Sequence, residues 1–136
     1  LSGYDALRRE VRYGKNSRID ILLETPGAAP CYVEVKNVHL VRHRGLAEFP
    51  DSVTTRGAKH LRELTNIVRD GGRAVMFYLV QRADCQNFTL ASDIDPDYAA
   101  AFAEARQGGI EALCYDCVLS PQQISLGRSL PIKETD

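Results

Sequence analysis

No apolar run in this chain exceeds the seven residues from Ala74 to Val80, far short of the roughly 20 that a bilayer-crossing helix needs. A membrane-spanning helix is excluded, and no membrane partner is expected. No signal-peptide pattern opens the sequence, so the protein is expected to be cytoplasmic. Cysteine is scarce: only Cys31, Cys85, Cys114 and Cys117 are present. Nothing indicates an oxidising compartment, so these read as free thiols, and the sequon Asn87-Phe88-Thr89 carries no meaning. Cys114-Tyr115-Asp116-Cys117 is the only CxxC, and it falls in an expected strand, where positions i and i+3 face opposite sides; buried thiols are favoured over zinc. The histidines offer no metal-spaced pair, because His39 and His43, four apart, lie in what reads as loop. Gly14-Lys15-Asn16-Ser17 lacks the upstream glycine and following helix of a phosphate-binding loop and reads as a turn. Repeats and low-complexity segments are absent.

Excess charge is lacking as well, with 17 Lys+Arg against 18 Asp+Glu. That balance hides a split. Residues 1–73 hold 13 basic and 9 acidic side chains, whereas 74–136 hold 4 and 9, so a polyanion would meet the first half first. At 136 residues and 44% hydrophobic content, residues 1–136 read as a single domain large enough for a real core.

Apolar periodicity alternates between helices and strands. Ser2 with Asp5 resembles a capping box, and Tyr4, Leu7 and Val11 follow i, i+3, i+7, which predicts a first helix ending near Gly14. Glu10 would sit about 60° from Leu7, at the edge of that apolar stripe. SRIDILLE and CYVEVKNV read as a hairpin, followed by a loop holding Arg42 and Arg44. A second helix is expected over about 51–70, capped by Asp51 or Ser52, with Val53, Leu61, Leu64 and Val68 as its stripe and Gly71-Gly72 as its stop. Arg73 to Gln81 suits a strand buried on both faces. Asp95-Pro96 opens a third helix ending at Gly108-Gly109; Ile110 to Leu119 is a strand, and Ile124 to Ile132 an edge piece.

The hairpin carries the chemistry. Folding it about Gly27 sets position 20 opposite position 34. Strand alternation puts Asp20 with Leu22 on one face and Ile19, Ile21 and Leu23 on the other; Glu34 and Lys36 alternate likewise with Val33 and Val35. Two opposed carboxylates would lie roughly 5 Å apart at Cβ, which is unfavourable unless a cation sits between them. Mg²⁺ or Mn²⁺ is the natural candidate, since such ions bind one or two carboxylates and leave other positions to water and phosphate. Lys36, on the same face, could orient a water or stabilise a phosphate oxygen. The alternative is a solvated face with an ordinary charge pair, because Glu-x-Lys alone is common. Thr54, Arg56 and His60 at the start of the second helix are candidate phosphate contacts alongside Arg42 and Arg44; His60 equally reads as a core histidine, and Lys59 as a solvated charge.

Helix Glu, strand Asp and Glu-x-Lys, followed by a helix and a buried strand, resemble the PD-(D/E)xK nuclease core, an α/β fold with a mixed central sheet flanked by helices. More specifically, SRIDILL, CYVEVKNVHL, FPDSVTTRGAKHLREL, VQR, DIDPDYAAAFAEARQGG and LPI, in that order, resemble the C-terminal domain of the sugar fermentation stimulation protein A family. Members of that family join a small N-terminal oligonucleotide-binding barrel to this domain, and the barrel is not expected within this sequence. The resemblance implies Asp20 and Glu34 as metal ligands, joined by the backbone carbonyl of Val35, and Lys36 as the catalytic lysine. Glu10 would support them and is the natural ligand for a second metal, and Gln81 corresponds to a glutamine near the site in exonuclease branches. The implied function is a DNA-binding, metal-dependent nuclease domain. The alternatives are a non-catalytic DNA-binding regulatory module linked to sugar (maltose) metabolism and, third, a structural domain whose acidic half docks a protein.

Overall fold

Ser17–Glu24 and Cys31–Val38 form the expected antiparallel hairpin, turning at Thr25-Pro26-Gly27 with Gly27 at φ 80, a conformation that glycine adopts without strain. The pairs Ile21↔Val33, Leu22↔Tyr32 and Leu23↔Cys31 are symmetric about Gly27. These strands belong to a computed structural model that describes residues 2–13 and 17–134; the turn expected at 14–16 lies outside the described residues.

Among those residues the chain runs β1 (Ala6–Tyr13), β2 (Ser17–Glu24), β3 (Cys31–Val38), β4 (Leu40–His43), β5 (Leu46–Phe49), α1 (Thr55–Arg69), β6 (Arg73–Val80), β7 (Asn87–Leu90), α2 (Pro96–Gln107), β8 (Glu111–Leu119), β9 (Ile124–Ser129) and β10 (Ile132–Lys133). The first element is a correction: no helix forms at the start, and β1 pairs antiparallel with β2 from Ala6↔Glu24 to Tyr13↔Ser17. Leu7 is exposed, so the three-residue helical stripe had no core to face. Ladder hydrogen bonds to an already formed hairpin outweigh so weak a periodicity.

A six-stranded sheet of order β1-β2-β3-β6-β8-β9 results, with β3, β6 and β8 parallel. Both helices pack on one of its faces, where Leu61 and Leu64 of α1 and Tyr98, Phe102 and Ala105 of α2 join Ala74, Met76, Tyr78 and Val80 of β6 in one core. Val75 of the same strand belongs to a second cluster with Leu23, Cys31 and Val33 on the opposite face, so β6 is buried on both sides as its unbroken apolar run requires. No helix is long and apolar enough to cross a membrane. All four cysteines are free and buried, and burial pushes the Cys114 thiol up to about 12.

A second sheet, β10-β7-β5-β4, was not expected. Its strands are four residues long or shorter and carry little periodicity, so the Arg42–Arg44 segment read as loop; instead Arg42 lies on β4 and Gly45, at φ 77, makes the turn into β5. The expected edge piece divides: β9 borders the large sheet, while Ile132 pairs with Phe88 of β7. The start of α1 also differs. Its cap is Thr54, whose Oγ1 accepts from the Gly57 N–H at 3.0 Å, and Val53 is exposed rather than part of the stripe. The cause is Asp95, the buried cap of α2, which accepts from the Tyr98 N–H at 3.0 Å and from the Thr54 N–H at 2.8 Å. One carboxylate fixes both helix starts.

Candidate metal and nucleic-acid site

The β2–β3 ladder ends at Ile21↔Val33, and the carboxylates lie just beyond it. Asp20 Oδ2 accepts from the Val35 N–H at 2.7 Å, taking a donor that a continuing ladder would have directed to the main chain of β2. Glu34 is buried on the helix-covered side, with Lys36 Nζ 3.2 Å and His60 Nδ1 3.4 Å from its Oε1. Its other oxygen, Oε2, is buried and has no hydrogen-bond partner. Asp20, Glu34, Lys36 and His60 are thus brought together by β2, β3 and α1.

The two carboxyls titrate in opposite directions. Burial pushes Asp20 above the usual carboxylate value, with the neighbouring Glu34 charge adding to the shift and the Val35 N–H opposing it. For Glu34 burial is also the largest single influence and acts upward, yet His60 and Lys36 together outweigh it and the net shift is downward. Glu34 is held ionised, while Asp20 carries a charge its surroundings do not fully compensate.

Strand alternation breaks at this point. Ile19 packs in the same core as Leu22 rather than sharing the face of Ile21 and Leu23. Glu10 lies on β1, between the pairs Arg9↔Ile21 and Val11↔Ile19, and so in register with Asp20; its φ of 53 is unusual for a non-glycine residue and interrupts the pleat. Glu10 therefore stands beside Asp20 along the sheet, from a strand and not from the edge of a helix, with its side chain exposed. Gln81 follows β6 at the level of Val38, and its side chain approaches Asn37 at 3.4 Å. The structure does not join it to the carboxylates.

The phosphate-contact candidates separate. Arg56 and Arg44 are exposed and, among the described residues, pair with no carboxylate. Arg42 is already engaged, its guanidinium bridging Glu48 at 2.7 Å and Asp93 at 2.6 Å. Thr54 spends its hydroxyl oxygen on the helix cap, and His60 is interior, at 3.4 Å from Glu34. Three residues that carried no signal in the sequence stand near the site: Tyr13, Ser17 and Glu63, each with buried polar side-chain atoms lacking a partner. The position of Glu63, three residues after His60 on one helix, is the single hint available to periodicity.

Among the described residues, no group of three or more His, Cys, Asp or Glu side chains gathers closely enough to hold a metal. Two carboxylates with a main-chain oxygen remain within what Mg²⁺ and Mn²⁺ use, since such ions retain several waters. The unpartnered Oε2 of Glu34 and the uncompensated charge on Asp20 fit a cation between them.

Comparison with known proteins places these features in a family. The family model for the sugar fermentation stimulation protein RE domain matches residues 1–123. A sugar fermentation stimulation protein homolog from Paramagnetospirillum magneticum is 60% identical over the whole chain, and one from Rhodospirillum centenum is 61% identical over 96% of it. The chain spans 57% and 56% of the length of those two relatives. Among solved structures, that of Pyrococcus furiosus SfsA in complex with Ca²⁺ superimposes with a TM-score of 0.83 at 28% identity, covering 93% of this chain and 54% of that one.

Proposed function

The chain belongs to the sugar fermentation stimulation protein family, and we propose that it is a DNA-binding, divalent-metal-dependent nuclease domain that hydrolyses phosphodiester bonds. The observation that carries this reading is the separation of charge at one point of the fold: Asp20 raised by burial beside a buried, ionised Glu34 with one free oxygen, and Lys36 at 3.2 Å. Asp20, Glu34 and the backbone carbonyl of Val35 would hold Mg²⁺ or Mn²⁺, and Glu10, in register with Asp20, is the neighbouring carboxylate available to them. The Pyrococcus furiosus SfsA structure is a complex with Ca²⁺, another hard cation that takes oxygen ligands. Bound between Asp20 and Glu34, a divalent cation would acidify a coordinated water and neutralise charge on a phosphodiester oxygen.

The protein's own groups do the rest. Lys36, half-held by Glu34, donates a hydrogen bond to the attacking water or to a phosphate oxygen as negative charge develops. Glu34 keeps that ammonium in place and, being ionised, cannot take its proton. Arg56 and Arg44 supply phosphate contacts that position the strand without reading sequence, and the N-terminal barrel characteristic of the family would extend that surface over the portion its relatives have beyond this domain.

The test is DNA degradation by the purified protein in Mg²⁺ or Mn²⁺ beside Asp20→Asn, Glu34→Gln and Lys36→Ala, expected to retain less than about 1% of activity on the scale of losing a main electrostatic element. Equal degradation by all four would end the catalytic reading. Salt-dependent binding with no turnover in any of them would favour the second reading, a DNA-binding regulatory module, with which the phenotype in the relatives' names is compatible.

A further inference from the structure

All six buried, unpartnered side-chain polar atoms among the described residues belong to five residues: Tyr13, Ser17, Glu34, His60 and Glu63. Tyr13 and Ser17 are cross-strand partners at the β1–β2 end, and the Tyr13 ring lies 5.9 Å from that of Tyr32, two residues before Glu34 on the same strand. His60, 3.4 Å from Glu34, is one helical turn before Glu63. Burial raises the Tyr13 phenol well above its ordinary range, and the charges adding to that rise belong to Glu34, Glu63 and Asp20. The orphaned atoms therefore surround one interior polar region beside the Asp20–Glu34 pair.

Half of these atoms are carboxylate oxygens, Glu34 Oε2 and both oxygens of Glu63, which can only accept. The region lacks donors, and it lacks positive charge: three carboxylates, Asp20, Glu34 and Glu63, meet two ammonium groups, Lys36 on Glu34 and a half-exposed Lys59 at 3.6 Å from Glu63. A buried carboxylate with no donor is costly. Water alone would supply donors without charge, whereas a hydrated divalent cation supplies both.

We propose that Glu63, with the hydroxyls of Tyr13 and Ser17, forms a second position for a hydrated divalent cation next to the one between Asp20 and Glu34. This rests on the metal-dependent reading of the first position. Glu63 binds the cation through one or both oxygens, and Tyr13, Ser17 and Glu34 Oε2 accept hydrogen bonds from its waters, so one carboxylate suffices, in the manner usual for Mg²⁺.

Mn²⁺ binding, counted by the loss of free-ion paramagnetic signal, tests this on purified wild-type protein and on Glu63→Gln, Tyr13→Phe and Asp20→Asn, each first verified as folded by circular dichroism. Two Mn²⁺ per wild-type chain are expected, with Glu63→Gln weakening one at least tenfold, Tyr13→Phe weakening the same one several-fold, and Asp20→Asn removing the other. Tyr13→Phe keeps the proposal testable should Glu63→Gln not fold. One Mn²⁺ per wild-type chain that survives Glu63→Gln and Tyr13→Phe but not Asp20→Asn overturns the second position alone, leaving water as its occupant. No Mn²⁺ bound by the wild type overturns both positions.

Discussion

Replacing Asp20 by Asn should make the metal-free protein more stable and the metal-loaded protein less so. Asn retains the shape of the side chain and an oxygen to accept from the Val35 N–H at 2.7 Å, but removes the charge that lies beside Glu34. Because Asp20 is shifted upward, mainly by burial, the folded state favours its neutral form, and the neutral amide resembles that form. Relief of opposed like charges on neighbouring strands is worth roughly 0.2–1 kcal/mol, or about 1–4 °C in Tm for a chain of this size. In Mn²⁺ at about one hundred times its Kd, the wild type gains about 2.7 kcal/mol by mass action, or roughly 10 °C, and the variant, lacking a ligand, gains little. The two melting curves should therefore change order when Mn²⁺ is added to chelator-treated protein at neutral pH. A variant that melts lower than wild type without metal, and rises equally with it, would refute both the electrostatic account of Asp20 and its role as a ligand.

The pH dependence of Glu34 has the opposite sign. Its folded pKa lies below the ordinary 4.5, so its ionisation contributes stability above that value which is lost as pH falls through the folded pKa; Glu34→Gln should be destabilised by about 1–3 kcal/mol at pH 7 and approach wild type in chemical denaturation as the pH is lowered through that folded pKa. Tyr78→Phe, which leaves the buried Tyr98 hydroxyl without its 2.6 Å partner, should lower stability by about 1–3 kcal/mol in the same measurement while DNA affinity is unchanged. Arg44→Ala and Arg56→Ala should each reduce the slope of log affinity against log salt by about 1, whereas Arg42→Ala, whose charge is already met by Glu48 and Asp93, should lower Tm and leave the slope alone; an equal change in all three slopes would contradict the assignment of Arg42 to the fold.

The sequence made the centre of the fold legible and its margins illegible, for physical reasons visible at particular residues. β6 announces itself because seven successive apolar residues suit only a strand buried on both faces, and α2 because Asp95-Pro96 and Gly108-Gly109 punctuate both its ends. The hairpin register was readable because a single glycine at positive φ fixes it. β1 was not, since Tyr4, Leu7 and Val11 are compatible with a helical stripe as long as nothing reveals that Leu7 faces solvent. The second sheet is built from pieces too short for any period to be counted, held instead by tertiary contacts such as the Thr89 hydroxyl donating to the Lys133 carbonyl at 2.6 Å. For the site, Asp20, Glu34 and Lys36 were legible because all three lie on the register-fixed hairpin. Tyr13, Ser17 and Glu63 were not, because what marks them is the absence of a partner, a property of packing that no residue type announces.

Glu10 shows how a wrong element can still deliver a right neighbour. Read as helical, it reached the site from the edge of an apolar stripe; as built, it reaches the level of Asp20 because β1 and β2 keep one register on both sides of it. The same registers explain why the site opens where it does. Continued past Ile21↔Val33, the β2–β3 ladder would set Ile19 against Val35, but Ile19 has turned into the helix-side core and the Asp20 carboxylate has taken the Val35 N–H. Asp20 thus has two duties, replacing a main-chain acceptor where the strands part and presenting charge to the gap so formed. The consequence for experiment is that Asp20→Ala removes both, leaving a partly buried N–H unsatisfied at about 1–3 kcal/mol, whereas Asp20→Asn removes only the charge. If Asp20 matters solely as an acceptor, Asp20→Asn will match wild type in Mn²⁺ binding while Asp20→Ala alone loses stability; if it is a ligand, both variants lose the metal and only Asp20→Ala melts below the metal-free wild type.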